Sequence, residues 1–222
     1  MKLKTEGYKT AIFDCDGVIL DSNKIKTKAF YECARSYGDN FANSLVNYHI
    51  QNGGISRYEK FKYFLKNILD VSIEELMLEQ LLSKYSAYVK EELLKCEIAA
   101  GLFQLREALS DQHWLVVSGG DQDELRKIFR IRSLSKLFDG GIFGSPDSKD
   151  KIVEQQLKVG NIKKPAVFLG DSRYDYETAS KYGFDFIFIS KYSEFQGWQD
   201  FFKDKKGVMI INELESLLVL AK

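Results

Sequence analysis

From Gly101 to the end, short, wholly apolar segments alternate with segments of helical spacing, and that alternation leaves few folds open. "HWLVVS" (113–118), "GGIFG" (140–144), "AVFLGD" (166–171), "FDFIFIS" (184–190) and "GVMII" (207–211) read as strands. "KTAIFD" (9–14) is another. Unbroken apolar runs suit strands covered on both faces, as in parallel sheets. Between them lie helix patterns: "LFQLREALS", "DQDELRKIFR", "KDKIVEQQLKVG", "YDYETASKYG" and a closing "NELESLLVLA". Asp121 and Glu124 have capping-box spacing, and Gly160 and Gly183 stand as helix stops. Strands alternating with helices imply right-handed crossovers and an α/β, doubly wound parallel sheet.

From about Ser22 to Cys96 the texture is helical throughout: "KTKAFYECARSY", "SRYEKFKYFLKNIL" and "SIEELMLEQLLSKYSAYVKEELLK". Ser72 and Glu75 have the spacing of a capping box for the last of these. The expected organisation is a core domain from residues 1–20 and 97–222, interrupted by a helical cap over 21–96. Lysine-rich helix faces in the cap read as solvated surfaces.

Charge and composition exclude several roles. Lysine plus arginine equals aspartate plus glutamate, 32 of each. A chain of zero formal charge has no long-range field for nucleic acid or an anionic membrane. "MKLKTEGYKT" at the start lacks the apolar stretch of a signal peptide, and no apolar run is long enough to span a membrane. Cys15, Cys33 and Cys96 have no metal-ligand spacing and read as reduced thiols. The expectation is a cytoplasmic protein with a small-molecule partner.

In open parallel sheets, ligands bind beyond the carboxyl ends of the strands. There the first strand delivers Asp14 and Asp16, with Gly17 allowing the chain to turn away. The second delivers Ser118, Gly119 and Gly120, and the fourth delivers Gly170, Asp171 and, a turn later, Asp175. Lys149 and Lys151 precede the helix between the third and fourth strands. Asp14 and Asp16, two apart on an extended chain, face one side, and Cys15 between them faces the core. Asp121 reads as a helix cap rather than a reactive acid. His49 and His113 fit no motif.

The stretches "DCDGV", "VVSGG", "SKDKIV" and "GDSRYD", in that order, resemble the haloacid dehalogenase superfamily, and the helical insert after the first motif resembles its helical-cap subgroup, which includes phosphoglycolate phosphatase and β-phosphoglucomutase. The resemblance implies a Rossmann-like core and a magnesium-dependent phosphatase acting on a small phosphorylated metabolite. Asp14 would be the nucleophile that forms an aspartyl-phosphate, and Asp16 the general acid and base, helped by an elevated pKa. Ser118 and the Gly119 amide would hold a phosphate oxygen. Mg²⁺ would be held by Asp14, the Asp16 carbonyl and Asp171, with Asp175 as a further ligand or orienting group. Lys149 fits the motif lysine, with Lys151 as the alternative. In "NGGISRYEKF" (52–61), Arg57 either touches the substrate when the cap closes or is an exposed helix-start arginine. A sugar-phosphate mutase shares every core motif. A non-catalytic phospholigand-binding member is the third reading, disfavoured by the intact acids. Dehalogenases and phosphonate-cleaving members lack the second acid, here Asp16.

Overall fold

The computed structural model describes residues 7–220. Six parallel strands form one sheet: β1 (Thr10–Phe13), β2 (His113–Asp121), β3 (Ile142–Ser145), β4 (Ala166–Gly170), β5 (Asp185–Ile189) and β6 (Val208–Ile211). Their spatial order is β3–β2–β1–β4–β5–β6. The order reverses between β1 and β4, and in such sheets the crevice at the reversal is where ligands bind.

Both sheet faces are covered, which explains the unbroken apolar runs. Ala11, Phe13, Trp114, Val116, Val167 and Leu169 enter one core cluster. Ile12, Leu115, Val117, Phe168, Phe186 and Phe188 enter the other. Burying each such side chain contributes about 1.5–3 kcal/mol, so neither set tolerates a slip of one residue. Cys15 has the parity of Phe13 and lies fully buried in the first cluster. Asp14 and Asp16 take the opposite parity, as the period of two requires.

The alternation is interrupted after β1 by α1 (Asn23–Ala34), α2 (Asp39–Gln51), α3 (Arg57–Tyr63) with a π turn at Phe64–Ile68, and α4 (Glu75–Lys95). The chain leaves and re-enters the core side by side: Leu20 bridges Ile98, and the Asp21 N–H donates to the Glu97 carbonyl at 3.0 Å. The cap packs around Phe30, Phe61, Phe64, Leu81 and Tyr85, which are continuous with the cluster on the first face of the sheet. The core continues with α5 (Leu102–Ala108), α6 (Gln122–Ile131), α7 (Lys149–Lys158), α8 (Arg173–Tyr182), the short α9 (Trp198–Phe202) and α10 (Ser216–Leu220). No described helix is long and apolar enough to cross a membrane.

Some local expectations need correction. Ser72 does not cap α4, which starts at Glu75 after an uncapped Glu74. The chain leaving the π turn must first reverse at Asp70, whose φ is +54°, so Ser72 falls in the irregular link. Helix α2 lies within the stretch of helical texture, and Ala42, Leu45 and His49 are its buried residues. At α6, Asp121 accepts from the Glu124 N–H at 2.9 Å as expected. The reciprocal bond of the box is missing, because Glu124 reaches into the cap instead.

Candidate active site

Strand β1 ends where its polar residues begin. The Asp14 N–H still donates to the Leu169 carbonyl of β4 at 2.9 Å, so the sheet holds the backbone of Asp14 rigidly. The chain then turns at Gly17, whose φ is +76°. A Cβ there would overlap the Asp171 carboxylate and the Asn23 amide. Glycine therefore lets the β1 turn lie directly on the carboxylate delivered by β4.

Asp14, Asp171 and Asp175 offer carboxylate oxygens within 4.8 Å of one another, and all three are buried. Lys149, at the start of α7 and 1% exposed, projects into this group. Its Nζ lies 2.9 Å from Asp14 Oδ1 and 2.5 Å from Asp175 Oδ1. The Asp14 contact lacks hydrogen-bond geometry, so Asp14 Oδ1 is a buried acceptor with no hydrogen bond. Lys151 is exposed and paired with Asp147 at 2.6 Å. Of the two lysines, only Lys149 reaches the acids.

The electrostatics follow from burial. Burial, with the charges of Asp175 and Asp16 working against the pull of Lys149, lifts Asp14 to about 7. Burial again, then Asp14 and Asp175, holds Asp171 well above the carboxylate range, against a hydrogen bond from Asn23 Nδ2 at 2.6 Å. For Lys149, burial opposes the charge, but the two aspartates outweigh it and raise its pKa. Three buried carboxylates, one lysine between them and an acceptor without a hydrogen bond form a donor set short of positive charge. Hard oxygen donors of this kind fit a magnesium ion. Asp14 and Asp171 have oxygens to give it. Asp175 has fewer: Oδ1 takes Lys149, and Oδ2 takes the Ser172 N–H and hydroxyl at 3.1 and 2.6 Å. It orients Lys149 and closes the capping box of α8.

Two other site residues differ from expectation. Asp16 does not have an elevated pKa. Burial pushes it up, but the Lys26 charge and hydrogen bonds from Lys26 (2.5 Å) and Ser22 (2.6 Å) outweigh this and hold it below its ordinary value. Ser118 is fully buried, and its Oγ accepts the Gly120 N–H at 3.0 Å, within the stretch of β2 where its register with β3 shifts. Gly119 and Gly120, not the Ser118 side chain, line the cleft.

The cap completes a cleft of about 70 Å³ that also includes Lys26, Lys60, Arg57, His49, Phe30 and Tyr85. The Gly53–Gly54 loop lies on Ser172 and Gly119, where a Cβ on Gly119 would overlap the Gly54 carbonyl. Arg57 is 6% exposed rather than a surface arginine. It pairs with Glu124 at 3.2 Å and Asp121 at 3.7 Å, and Tyr58 donates to Asp121 at 2.7 Å. Arg57 thus lines the cleft while tying cap to core. Lys26 and Lys60 are buried, correcting the view of cap lysines as solvated. Asn23, Lys26, His49 and Lys60 were all missed as site residues. For the first two the signal was position: a helix starting six residues after Gly17 must keep its first turns near the acids.

A family model for haloacid dehalogenase-like hydrolases matches residues 11–189. No curated protein matches the chain significantly. Among solved structures, a predicted phosphatase from Clostridium acetobutylicum superposes with a TM-score of 0.72 at 22% identity, over 95% of this chain and 96% of that one. A predicted phosphoglycolate phosphatase from Haemophilus somnus gives 0.72 at 15% identity, over 97% and 98%. A β-phosphoglucomutase from Clostridium difficile gives 0.70 at 17%, over 95% and 93%.

Proposed function

The chain belongs to the haloacid dehalogenase-like hydrolases, and from that premise we propose that it is a magnesium-dependent phosphatase of a small, soluble phosphomonoester. The observation that carries this is Asp14: a rigidly held carboxylate at the sheet's reversal point, 2.9 Å from the Lys149 ammonium and without a hydrogen bond on Oδ1. That is the condition of a nucleophile, anchored but not blocked.

In the proposed reaction Asp14 attacks phosphorus, the bond to the leaving oxygen breaks, and Asp16 supplies the proton that oxygen needs. Water then attacks the aspartyl-phosphate, Asp16 takes its proton, and phosphate and free Asp14 are restored. The Lys26 pairing favours ionised Asp16, which suits the second step and makes protonation for the first step the costlier one. Lys149 offsets the charge of nucleophile and phosphate, and the Gly119 and Gly120 backbone supports the phosphoryl oxygens, held in place from behind by the buried Ser118 hydroxyl that accepts the Gly120 N–H. Asp14 and Asp171, with the Asp16 carbonyl, would hold Mg²⁺, which supplies positive charge for a dianionic phosphoryl group. The Arg57 side chain forms the cap wall that faces the substrate.

The test is phosphate release from a panel of phosphomonoesters including an aryl phosphate, with and without magnesium, beside Asp14→Asn. Release that needs both metal and Asp14 is the expected result. No release from any ester by folded, metal-supplemented protein would overturn the hydrolytic reading in favour of a mutase, which passes the same phosphoryl group back to a sugar.

A further inference from the structure

Four buried or nearly buried cations stand in the cleft or directly behind its acids, and three have carboxylate partners. Lys149 sits on Asp14 and Asp175, Lys26 on Asp16, and Arg57 on Glu124 and Asp121. Lys60 is the exception. It is 2% exposed, and its only hydrogen-bond partner among the described residues is His49 Nδ1, at 2.7 Å. His49 is itself buried, and burial, then Lys60 and Lys26, keeps its ring neutral. The ammonium also lies 5.5 Å from the Phe30 ring centre, a weak cation–π contact. Neither a neutral imidazole nor a phenyl face replaces the hydration a buried ammonium loses.

Tyr85 stands on the same wall. Its ring is 4.7 Å from Phe30, it is 2% exposed, and its hydroxyl has no hydrogen-bond partner among the described residues. The Lys60 ammonium, buried without a carboxylate partner, and the Tyr85 hydroxyl, which hydrogen-bonds none of the described residues, line one cleft and offer donors to an anion there.

We propose that Lys60, seated on His49 and sharing the cap wall with Tyr85, is a subsite for a second anionic group on the leaving-group side of the phosphoester, with a carboxylate as its first choice. The placement on the leaving-group side rests on the phosphatase reading, in which Asp14 on the opposite wall takes the phosphoryl group. One ammonium matches a carboxylate's single charge, with the Tyr85 hydroxyl as a further donor on the same wall, whereas a second phosphate dianion would ask for more positive charge than Lys60 offers. Burial, followed by repulsion from Lys26, brings Lys60 down to about 7, so an arriving anion finds a group readily charged. Asp16 and Glu194 pull the other way, and Lys149 adds to the repulsion.

The test is calorimetric affinity in magnesium buffer for three non-hydrolysable probes of one chain length: 3-phosphonopropionate, propylphosphonate and propane-1,3-bisphosphonate. Wild type is expected to bind the carboxylated probe at least about tenfold more tightly than propylphosphonate, with the bisphosphonate between them. In Lys60→Met that ratio should fall to within about threefold, and in Tyr85→Phe it should fall by a smaller factor. Lys60→Gln serves as the second variant should the methionine fail to unfold cooperatively. A wild-type ratio near one, a ratio unchanged by loss of Lys60, or tighter binding of the bisphosphonate would overturn the proposal. Aryl phosphate turnover, run alongside in wild type, separates the two readings. A tenfold ratio without phosphate release keeps the subsite and sinks the phosphatase, while release with a ratio of one does the reverse.

Discussion

Lys149 and Lys60 are buried to almost the same degree, the first in the core domain against Asp14 of the cleft and the second on the cleft's cap wall, and they sit in opposite fields. On the core wall, Lys149 is clasped by two aspartates, and its pKa rises. On the cap wall, Lys60 faces a neutral histidine and a second lysine, and its pKa falls to about 7. Burial alone therefore predicts neither charge nor role. The core wall has three buried carboxylates around one lysine, whereas the cap wall has a lysine without a carboxylate partner. A phosphorylated anion with its metal would complement both.

The largest expected effect lies on the core wall. Asp14→Asn removes the proposed nucleophile and should lower phosphate release by about 10³-fold or more, read as initial rate on an aryl phosphate. Residual turnover within tenfold of wild type would mean that the attack comes from elsewhere. Lys149→Met should lower the rate by about 10²-fold or more. It should also cost about 3–5 kcal/mol in urea unfolding, because it leaves two buried carboxylates facing each other without a cation. Equal stability of this variant and wild type would show that the acids do not need that lysine.

The cap wall should answer with the opposite sign. In the ligand-free protein, Lys60→Met is expected to raise stability by about 1–3 kcal/mol at pH 6–7, since it removes a buried charge with no counter-ion. The pH dependence checks the cause. The folded-state pKa, about 7, lies below the ordinary lysine value of 10.5. Between those values the unfolded chain binds the extra proton, so wild-type stability rises with pH across that window. The gain from Lys60→Met should therefore be full near pH 7 and shrink towards pH 10. A constant gain would assign it to packing. Smallest is Tyr58→Phe, which loses one hydrogen bond to Asp121 and should cost about 0.5–1.5 kcal/mol by the same urea measurement.

The same contrast explains what was legible in the sequence. Asp14, Asp16 and Asp171 stand at or just beyond strand ends, where a period of two and a shared sheet edge fix direction and place. Lys149 was legible for a related reason, being at the first position of a helix that starts beside that edge. Cap residues have no such frame. Which side of a helix meets the cleft depends on how four helices pack, and a lysine on an amphipathic helix reads as solvent-facing until its neighbours are known. Faint signals existed. His49 shares a face with Ala42 and Leu45, and Lys60 lies beside Phe61 and four residues before Phe64, all of them buried. The lowered pKa of Asp16 was hidden similarly, since it depends on Lys26 one helix away.

The unfinished capping box of α6 has a consequence for how the cleft lets its contents go. Glu124 is spaced to complete the box with Asp121 but is drawn off by Arg57 of the cap. Were the cap to lift, the arginine would leave and Glu124 would be free to fold back onto the backbone of its own helix. The helix end recovers part of what the broken ion pair gives up, since such a reciprocal bond is worth a fraction of a kcal/mol. The latch is therefore self-compensating. The amide protons at the start of α6 should report its position, exchanging faster with the cap down than with the cap raised.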